Sequence, residues 1–191
     1  MLIKICGVRD PEIAHFAASC GATFIGMILT PGFERSVTLE QGALIARAAL
    51  EGGAQPVAVF VSELPEEIEK ACRAMNICTV QCYLQDISLP SFIHRFYVNE
   101  PKAHLRPEQD YLLMEGSRPG CGEKIDPNHF IRPVGKAFFV AGGLNPSNVR
   151  ETIRLYNPIG VDVSSGVEKD QCKNKELISE FIKKVRSDEF N

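Results

Sequence analysis

Apolar runs of strand length recur along the whole chain. They are LIKIC (2–6), FIGMIL (24–29), VAVFV (57–61), CTVQCY (78–83), RFYVN (95–99), YLLME (111–115), AFFVAGG (137–143) and GVDVSS (160–165). Most of them are continuous rather than alternating, which is typical of strands buried on both faces of a parallel sheet. Eight runs in 191 residues leave ~24 residues per unit, close to the minimum for a strand, a crossover helix and two loops.

Helix-start signals stand between several of these runs. Asp10 and Pro11 supply an N-cap and a proline for the first helical position, and Gly21 is placed to close that helix. Thr38 with Gln41 fits a capping box ahead of the segment ALIARAAL. Further helices are predicted after Leu64-Pro65, after Asn145-Pro146 and over 175–186.

The repeated order of strand and helix predicts an α/β protein, a (β/α)8 TIM barrel that forms a single domain over residues 1–191. The alternative is an open doubly wound sheet, but no G-x-G-x-x-G follows the first strand. Between 83 and 110 the helical patterns LPSFIHRF and PKAHL are short, and PNHF after Asp126 is barely one turn. We therefore expect reduced helices around units 4–6.

Composition and charge exclude several classes of function. A chain that is 45% hydrophobic and 24% charged is typical of a soluble globular protein. A net charge of −3 offers no basic surface for nucleic acid. No apolar run approaches the ~20 residues that cross a bilayer, and the N-terminus lacks the features of a signal peptide. We expect a cytoplasmic protein with neither nucleic acid nor membrane as a partner.

The cysteines and histidines give no metal site. The seven cysteines are an odd number in a chain without a secretory signal, so reduced thiols are expected. No C-x-x-C pair occurs, Cys78 and Cys82 lie in one predicted strand, and the four histidines are scattered. We predict no metal ion, and the sequence leaves the oligomeric state open.

The ends of the last two strands predict a phosphate site. In a barrel of this kind the chemistry collects at the C-terminal ends of the strands. Gly142 and Gly143 follow strand seven, and Ser164, Ser165 and Gly166 follow strand eight. Such loops let backbone N–H groups converge on an anion, and these two strands are the usual phosphate location.

The ends of strands one and six carry a possible acid and base. Cys6 and Glu115 can flank one substrate across the barrel, where a thiol of lowered pKa could remove a proton from carbon and the acid could protonate a leaving oxygen. Alternatively, Cys6 only packs and Glu115 is a surface charge. Arg35 suits a planar carboxylate, although a solvated loop arginine is also consistent with its position. Lys4 is expected to pair with an acid.

Four segments together resemble phosphoribosylanthranilate isomerase, the third-step enzyme of tryptophan biosynthesis. They are KICG, FERSV, AGGL-N-P-x-N-V and GVDVSSGVE, and the resemblance covers roughly residues 1–83 and 110–186. It implies a (β/α)8 fold, a phosphosugar substrate and no cofactor. It also implies an Amadori rearrangement of N-(5-phosphoribosyl)anthranilate to 1-(2-carboxyphenylamino)-1-deoxyribulose 5-phosphate.

The resemblance implies a role for each candidate residue. Cys6 matches the general base, which takes a proton from C2′, and Glu115 stands where the family has an aspartate general acid, which protonates the furanose oxygen. Arg35 matches the arginine that meets the anthranilate carboxylate, and Asp162 matches an acid near the sugar hydroxyls. The phosphate-binding positions are Gly142, Gly143, Ser165 and Gly166.

The chain also departs from the family pattern. Glu115 is one methylene longer than aspartate, which leaves Glu123 and Asp126 in the following loop as alternative acids. The family's Q-L-H-G reads QCYL here, so that Tyr83 replaces a histidine, and G-G-T-G becomes GCG at 120–122. Two alternatives to the isomerase therefore stay open. One is a phosphate-binding barrel with weakened or lost catalysis, and the other is an isomerase of a related phosphosugar.

Overall fold

The computed structural model describes residues 1–116, 123, 125–126 and 130–187. In these ranges eight parallel strands pair in chain order, and the eighth pairs with the first to close a barrel. The strands are β1 (Leu2–Ile5), β2 (Phe24–Ile28), β3 (Gln55–Phe60), β4 (Thr79–Cys82), β5 (His94–Val98), β6 (Tyr111–Met114), β7 (Phe138–Val140) and β8 (Gly160–Val163). Each overlaps one of the predicted runs, and the predicted TIM barrel is confirmed.

Helices cover the first three and the last two strands of the barrel. They are α1 (Pro11–Ser19), α2 (Leu39–Glu51), α3 (Pro65–Met75), α4 (Val149–Tyr156) and α5 (Lys175–Arg186). After β8 come a 3-10 turn (Ser165–Val167) and a short hairpin of β9 (Glu168–Lys169) and β10 (Cys172–Lys173). None of the helices in the described ranges is long and apolar enough to cross a membrane.

The predicted caps of α1 and α2 are present, the second only in part. The Asp10 carboxylate accepts from two N–H groups of the first turn of α1, at 2.7 and 3.1 Å, and Gly21 follows that helix with φ +107°. Thr38 Oγ1 accepts from the Gln41 N–H at 3.2 Å. The Gln41 side chain, however, donates to the Arg9 carbonyl at 2.7 Å, so the capping box is only half formed.

Helix α4 begins later than the Asn145-Pro146 signal predicts. Its first residue is Val149, with Asn148 at the N-cap. Asn148 Oδ1 accepts from the Asn145 N–H at 2.9 Å, and its Nδ2 donates to the Gly143 carbonyl at 2.9 Å. The residue that could cap a longer helix instead ties the helix start to the glycine loop after β7.

The two connections that flank β5 contain no helix, as the short patterns predicted. Residues 83–93 and 99–110, all described, form only turns and irregular chain. Charged side chains hold them instead. The buried Asp110 carboxylate accepts from the N–H groups of Arg95 and Arg106, both at 2.9 Å, and from the Arg106 guanidinium. The connection after β6 lies partly outside the described residues.

Aromatic side chains fill the lower half of the barrel interior. The rings of Phe24, Phe96, Tyr111 and Phe139 form a cluster with centroids 5.1–6.0 Å apart, mostly edge to face. Lys4 Nζ lies 5.9 Å from the centroid of Phe96, and its partner Asp162 lines the cavity described below. The aromatic cluster thus fills this part of the barrel, and the open space lies at the C-terminal ends of the strands.

Candidate active site

A cavity of about 380 Å³ opens at the C-terminal ends of the strands. Glu34, Tyr83 and Ser164 are among its lining residues, together with apolar side chains of β2 and β3. All eight site residues predicted from the sequence line it: Cys6, Arg35, Glu115, Gly142, Gly143, Asp162, Ser165 and Gly166. The fold therefore brings together residues that lie up to 160 positions apart in the chain.

Cys6 belongs to a buried group with one lysine and one aspartate. Lys4 is fully buried, and its Nζ donates to both Asp162 oxygens, at 3.1 and 3.0 Å. The charge of the ammonium also acts on the Cys6 thiol and favours its ionised form. Lys4 and Asp162 face each other because they are partners in the register of β1 and β8. The expected pairing of Lys4 with an acid is confirmed.

The Cys6 thiol does not have the lowered pKa that the sequence suggested. Burial raises the pKa of Cys6, and the cations of Lys4 and Lys173 only partly oppose it. Room for the sulfur comes from Gly26 on β2, since a Cβ at that position would lie 2.8 Å from Cys6 Sγ. Of the two ammonium groups that favour the thiolate, Lys4 has the larger effect.

Glu115 is held from its backbone, and its side chain acts on a neighbouring phenol. Its N–H donates to Asn99 Oδ1 at 3.0 Å, and its negative charge acts on the Tyr83 hydroxyl. Gln81 Nε2 donates to the same hydroxyl at 3.1 Å, so the hydroxyl proton of Tyr83 is not used in that bond. Burial first, and then the charge of Glu115, raise the pKa of Tyr83, so this phenol is a neutral donor.

Sequence reasoning did not find this interaction. Gln81 and Tyr83 belong to the predicted strand CTVQCY, and their two-residue spacing places both on one face of it. Only the closed barrel brings the phenol under the charge of Glu115. Gln81 Oε1 is buried and has no hydrogen-bond partner in the described part of the chain, so a ligand in the cavity can donate to it.

Glu123 and Asp126, the alternative acids, do not line this cavity. They border a neighbouring depression with Asn99 and Phe130, which Glu115 also touches. The Glu123 carbonyl packs so closely on the glycine loop that a Cβ at Gly142 would lie 2.2 Å from it. The GCG segment at 120–122 lies outside the described residues.

Arg35 enters the cavity with a carboxylate already bound to it. Its Nε and Nη2 donate to the two Glu168 oxygens at 2.9 and 2.8 Å. Lys173 Nζ donates to Glu168 as well. Burial opposes ionisation of Glu168, but these two donors outweigh it and lower its pKa to about 2. Neither Glu168 nor Lys173 was identified from the sequence, although Glu168 ends the GVDVSSGVE motif.

The two predicted phosphate loops touch each other. Gly142 and Gly143 have φ values of +94° and +62°, which only glycine adopts without strain. A Cβ on Gly166 would lie 1.7 Å from the Leu144 carbonyl oxygen, so this position also requires glycine. Within the described residues, the N–H groups of Ser165 and Gly166 donate to no backbone carbonyl. They open the 3-10 turn and are available to an anion.

No described group of three His, Cys, Asp or Glu side chains is arranged to hold a metal ion. The described residues that line the cavity present a thiol, three carboxyl groups, an arginine, a phenol, an amide and backbone N–H donors. This set can bind a phosphorylated, carboxylate-bearing molecule, remove a proton from it and donate one.

Comparison with known proteins identifies the family. The model of the N-(5′-phosphoribosyl)anthranilate (PRA) isomerase family matches residues 3–184. The N-(5′-phosphoribosyl)anthranilate isomerase of Streptococcus gordonii is 35% identical over 192 residues, which cover 96% of this chain and 97% of that protein.

Solved structures agree with the family match. The crystal structure of phosphoribosyl anthranilate isomerase from Thermotoga maritima has a TM-score of 0.85 at 26% identity, covering 98% of this chain and 100% of that one. A phosphoribosyl anthranilate isomerase in complex with reduced 1-(o-carboxyphenylamino)-1-deoxyribulose 5-phosphate has a TM-score of 0.81 at 26% identity, with the same coverage. The resemblance noted in the sequence is confirmed, and the chain belongs to the N-(5′-phosphoribosyl)anthranilate isomerase family.

Proposed function

We propose that this protein isomerises N-(5′-phosphoribosyl)anthranilate to 1-(2-carboxyphenylamino)-1-deoxyribulose 5-phosphate in tryptophan biosynthesis. The observation that carries the proposal is the placement of Cys6 and Glu115 in one cavity, between the glycine loops and Arg35. Family membership supports the same reaction. A relative of the same fold holds a reduced form of the product.

The reaction needs one acid and one base. Glu115, protonated, gives its proton to the furanose ring oxygen while the C1′–O bond breaks, and the anthranilate nitrogen lone pair forms the C=N bond. The Cys6 thiolate then removes the proton from C2′, and the electrons of that C–H bond form an enol-amine. The Cys6 thiol returns a proton to C1′ while the 2′-hydroxyl gives its proton to the Glu115 carboxylate, which forms the ketone and restores both groups. Atoms and electrons balance without a redox partner.

The remaining cavity residues bind the substrate. The N–H groups near Gly142, Gly143, Ser165 and Gly166 receive the phosphate, and Arg35 receives the aryl carboxylate. Asp162, held by Lys4, and the buried Gln81 Oε1 accept from the sugar hydroxyls or the amine. The substrate is thus a small phosphosugar, and the site of action that we propose is the cytoplasm.

The test is turnover of freshly generated N-(5′-phosphoribosyl)anthranilate, followed by its fluorescence. We expect the wild-type protein to consume it, and Cys6→Ala and Glu115→Gln each to lower kcat by at least ~10²-fold, because each removes a general acid or base. Cys78→Ala is the matched control, since that thiol is exposed and outside the cavity, and its turnover should equal wild type.

Other outcomes would contradict the proposal. Near-normal turnover by Cys6→Ala would exclude the thiol as the base. Binding of the phosphosugar by the wild-type protein without turnover would identify a binding barrel instead. Turnover of a phosphosugar without the aryl group, at the rate of the anthranilate substrate, would identify a different isomerase.

A further inference from the structure

The guanidinium of Arg35 has two edges that can each hold a carboxylate. Nε and Nη2 form the side edge, and both donate to Glu168. The end edge consists of Nη1 and the second N–H of Nη2. Glu34 Oε2 lies 3.8 Å from Nη1 on this edge, beyond hydrogen-bond distance. Because the Glu34 side chain is half exposed, it can turn away into solvent.

We propose that Glu168 and Lys173 are positioning residues that hold Arg35 by its side edge and present its end edge to the substrate carboxylate. This inference rests on the proposed function. It assigns to the β9–β10 hairpin the selectivity for a phosphosugar whose aryl ring carries a carboxylate, over the same phosphosugar without one.

Lys173 is needed for the charge of this group. An arginine paired with one glutamate is neutral as a pair and attracts an anion only weakly. Lys173, whose side chain is 5% exposed, adds a second cation to Glu168, so the three side chains carry a net charge of +1. Its Nζ also donates to the Ser164 carbonyl at 3.2 Å, which fixes the group to the end of β8.

The local fold fixes the Arg35 side chain from two sides, at its guanidinium and along its stem. Glu168 and Lys173 are partners in the antiparallel register of the hairpin, so they leave the same face side by side. On the other side, the Arg35 side chain crosses Gly7, where a Cβ would lie 2.7 Å from Arg35 Cδ. With the stem placed on Gly7 and the side edge bound by Glu168, the guanidinium has little freedom to turn.

The test is a discrimination ratio. We would measure kcat/KM for N-(5′-phosphoribosyl)anthranilate and for N-(5′-phosphoribosyl)aniline, which lacks only the carboxylate. Glu168→Gln should lower the ratio of the two values by ~10-fold or more, because charge-assisted bidentate contacts depend on a fixed fork. The change should lie in KM for the anthranilate substrate, while kcat stays within about threefold.

A second variant distinguishes the loss of Arg35 positioning from a general loss of stability. Glu168→Gln leaves Lys173 buried without its carboxylate, which can destabilise the chain. The double variant Glu168→Gln/Lys173→Met removes both charges and keeps the net charge of the group at +1, and it should lower the ratio to a similar extent because Arg35 is no longer held by its side edge. Glu69→Gln is the matched control, because Glu69 also pairs with an arginine but on the exposed face of α3, and it should keep the wild-type ratio.

The outcomes separate this inference from the proposed function. If the wild-type protein does not isomerise the anthranilate substrate, the proposed function fails. If it does, and the Glu168 variants slow both substrates equally or leave both unchanged, the hairpin has only a structural role and the inference is wrong. A ratio that falls in both Glu168 variants but not in Glu69→Gln supports it.

Discussion

Burial and neighbouring charges act in opposite directions on the ionisation of the Cys6 thiol. Burial raises the pKa of Cys6, and the negative charge of Asp162 adds to that effect. The Lys4 ammonium acts in the opposite direction, and it is held next to the thiol by two hydrogen bonds to Asp162. A thiol with a raised pKa is largely protonated at neutral pH, but its thiolate, once formed, is a stronger base toward carbon.

This setting predicts the pH dependence of the reaction. The reaction needs an ionised Cys6 and a protonated Glu115, so kcat/KM should follow a bell-shaped pH profile, and the raised pKa of Cys6 should place the limb that reports this thiol on the alkaline side. In Lys4→Met the stabilising cation is absent, so the limb that reports Cys6 should move to higher pH. The measurement is kcat/KM against pH, with Lys4→Met/Asp162→Asn as the variant that leaves no unpaired buried charge. If this limb of the kcat/KM profile lies at the same pH in wild type and in both variants, the prediction is wrong.

At the scale of elements, the connections around β5 show how a barrel closes without two of its helices. Asp110 is buried and binds Arg95 and Arg106, as described above. Arg106 in turn donates to the carbonyls of Ser91, at 2.6 Å, and Ile93, and Arg95 donates to the Leu84 carbonyl. These bonds satisfy loop carbonyls that a crossover helix would have satisfied internally.

We predict that Asp110→Asn destabilises the fold by about 3 kcal/mol, because it leaves the Arg106 guanidinium without its carboxylate and weakens the bonds that two backbone N–H groups donate to Asp110. Burial opposes ionisation of Asp110, but its hydrogen bonds lower its pKa. Its contribution is therefore present above the ordinary pKa of ~3.9 and is lost as the pH falls through the lowered folded-state value. Urea unfolding at pH 7 and at about pH 3 measures both effects.

Asp86→Asn is the control for this prediction. Asp86 is exposed in the same connection and has φ +55°, which asparagine tolerates. Its free energy of unfolding should stay within about 0.5 kcal/mol of wild type. If Asp110→Asn behaves like this control, or loses as much stability as wild type on acidification, the network does not support the helix-free connections.

At the scale of the whole molecule, the cavity joins the two ends of the chain. Strand β1 closes the barrel by pairing with β8, so Cys6 comes next to the loop that begins at Ser164, whose Oγ donates to the Cys6 carbonyl at 3.1 Å. The loop after β7 touches the same segment at Leu144 and Gly166. An anion bound at these loops therefore links β7, β8 and, through the bond from Ser164 to Cys6, β1.

Phosphate should accordingly stabilise the whole fold. At a hundredfold excess over its Kd, inorganic phosphate should add ~2.7 kcal/mol and raise Tm. Gly166→Ala should lose this increase relative to its own ligand-free Tm, because the added Cβ forces the two loops apart. Gly53→Ala is the control. Gly53 has φ +94° and open space around it, so that variant should start from a lower Tm but keep the full increase. An equal increase in Gly166→Ala would contradict the prediction.

The sequence by itself determined the strands, most of the helices and the membership of the cavity. Continuous apolar runs such as VAVFV report burial on both faces, which does not depend on the neighbouring strand. Parallel strands in a barrel end at one rim, so listing the residues at the strand ends was enough to find Cys6, Glu115 and the glycine loops. The predicted cap at Asp10 is local as well, since its carboxylate accepts from N–H groups within three residues.

Only the tertiary structure decided the partners and the protonation of these residues. Glu168 lies 133 positions from Arg35, and no local pattern indicates that the two side chains bind. Likewise, no local pattern indicates that the charge of Glu115 acts on the Tyr83 phenol, because the two residues follow different strands. The lowered pKa that the sequence suggested for Cys6 was wrong, because desolvation depends on how completely the barrel encloses the thiol. Residue identity is local information, whereas burial and charge pairing arise from chain segments that meet only when the barrel closes.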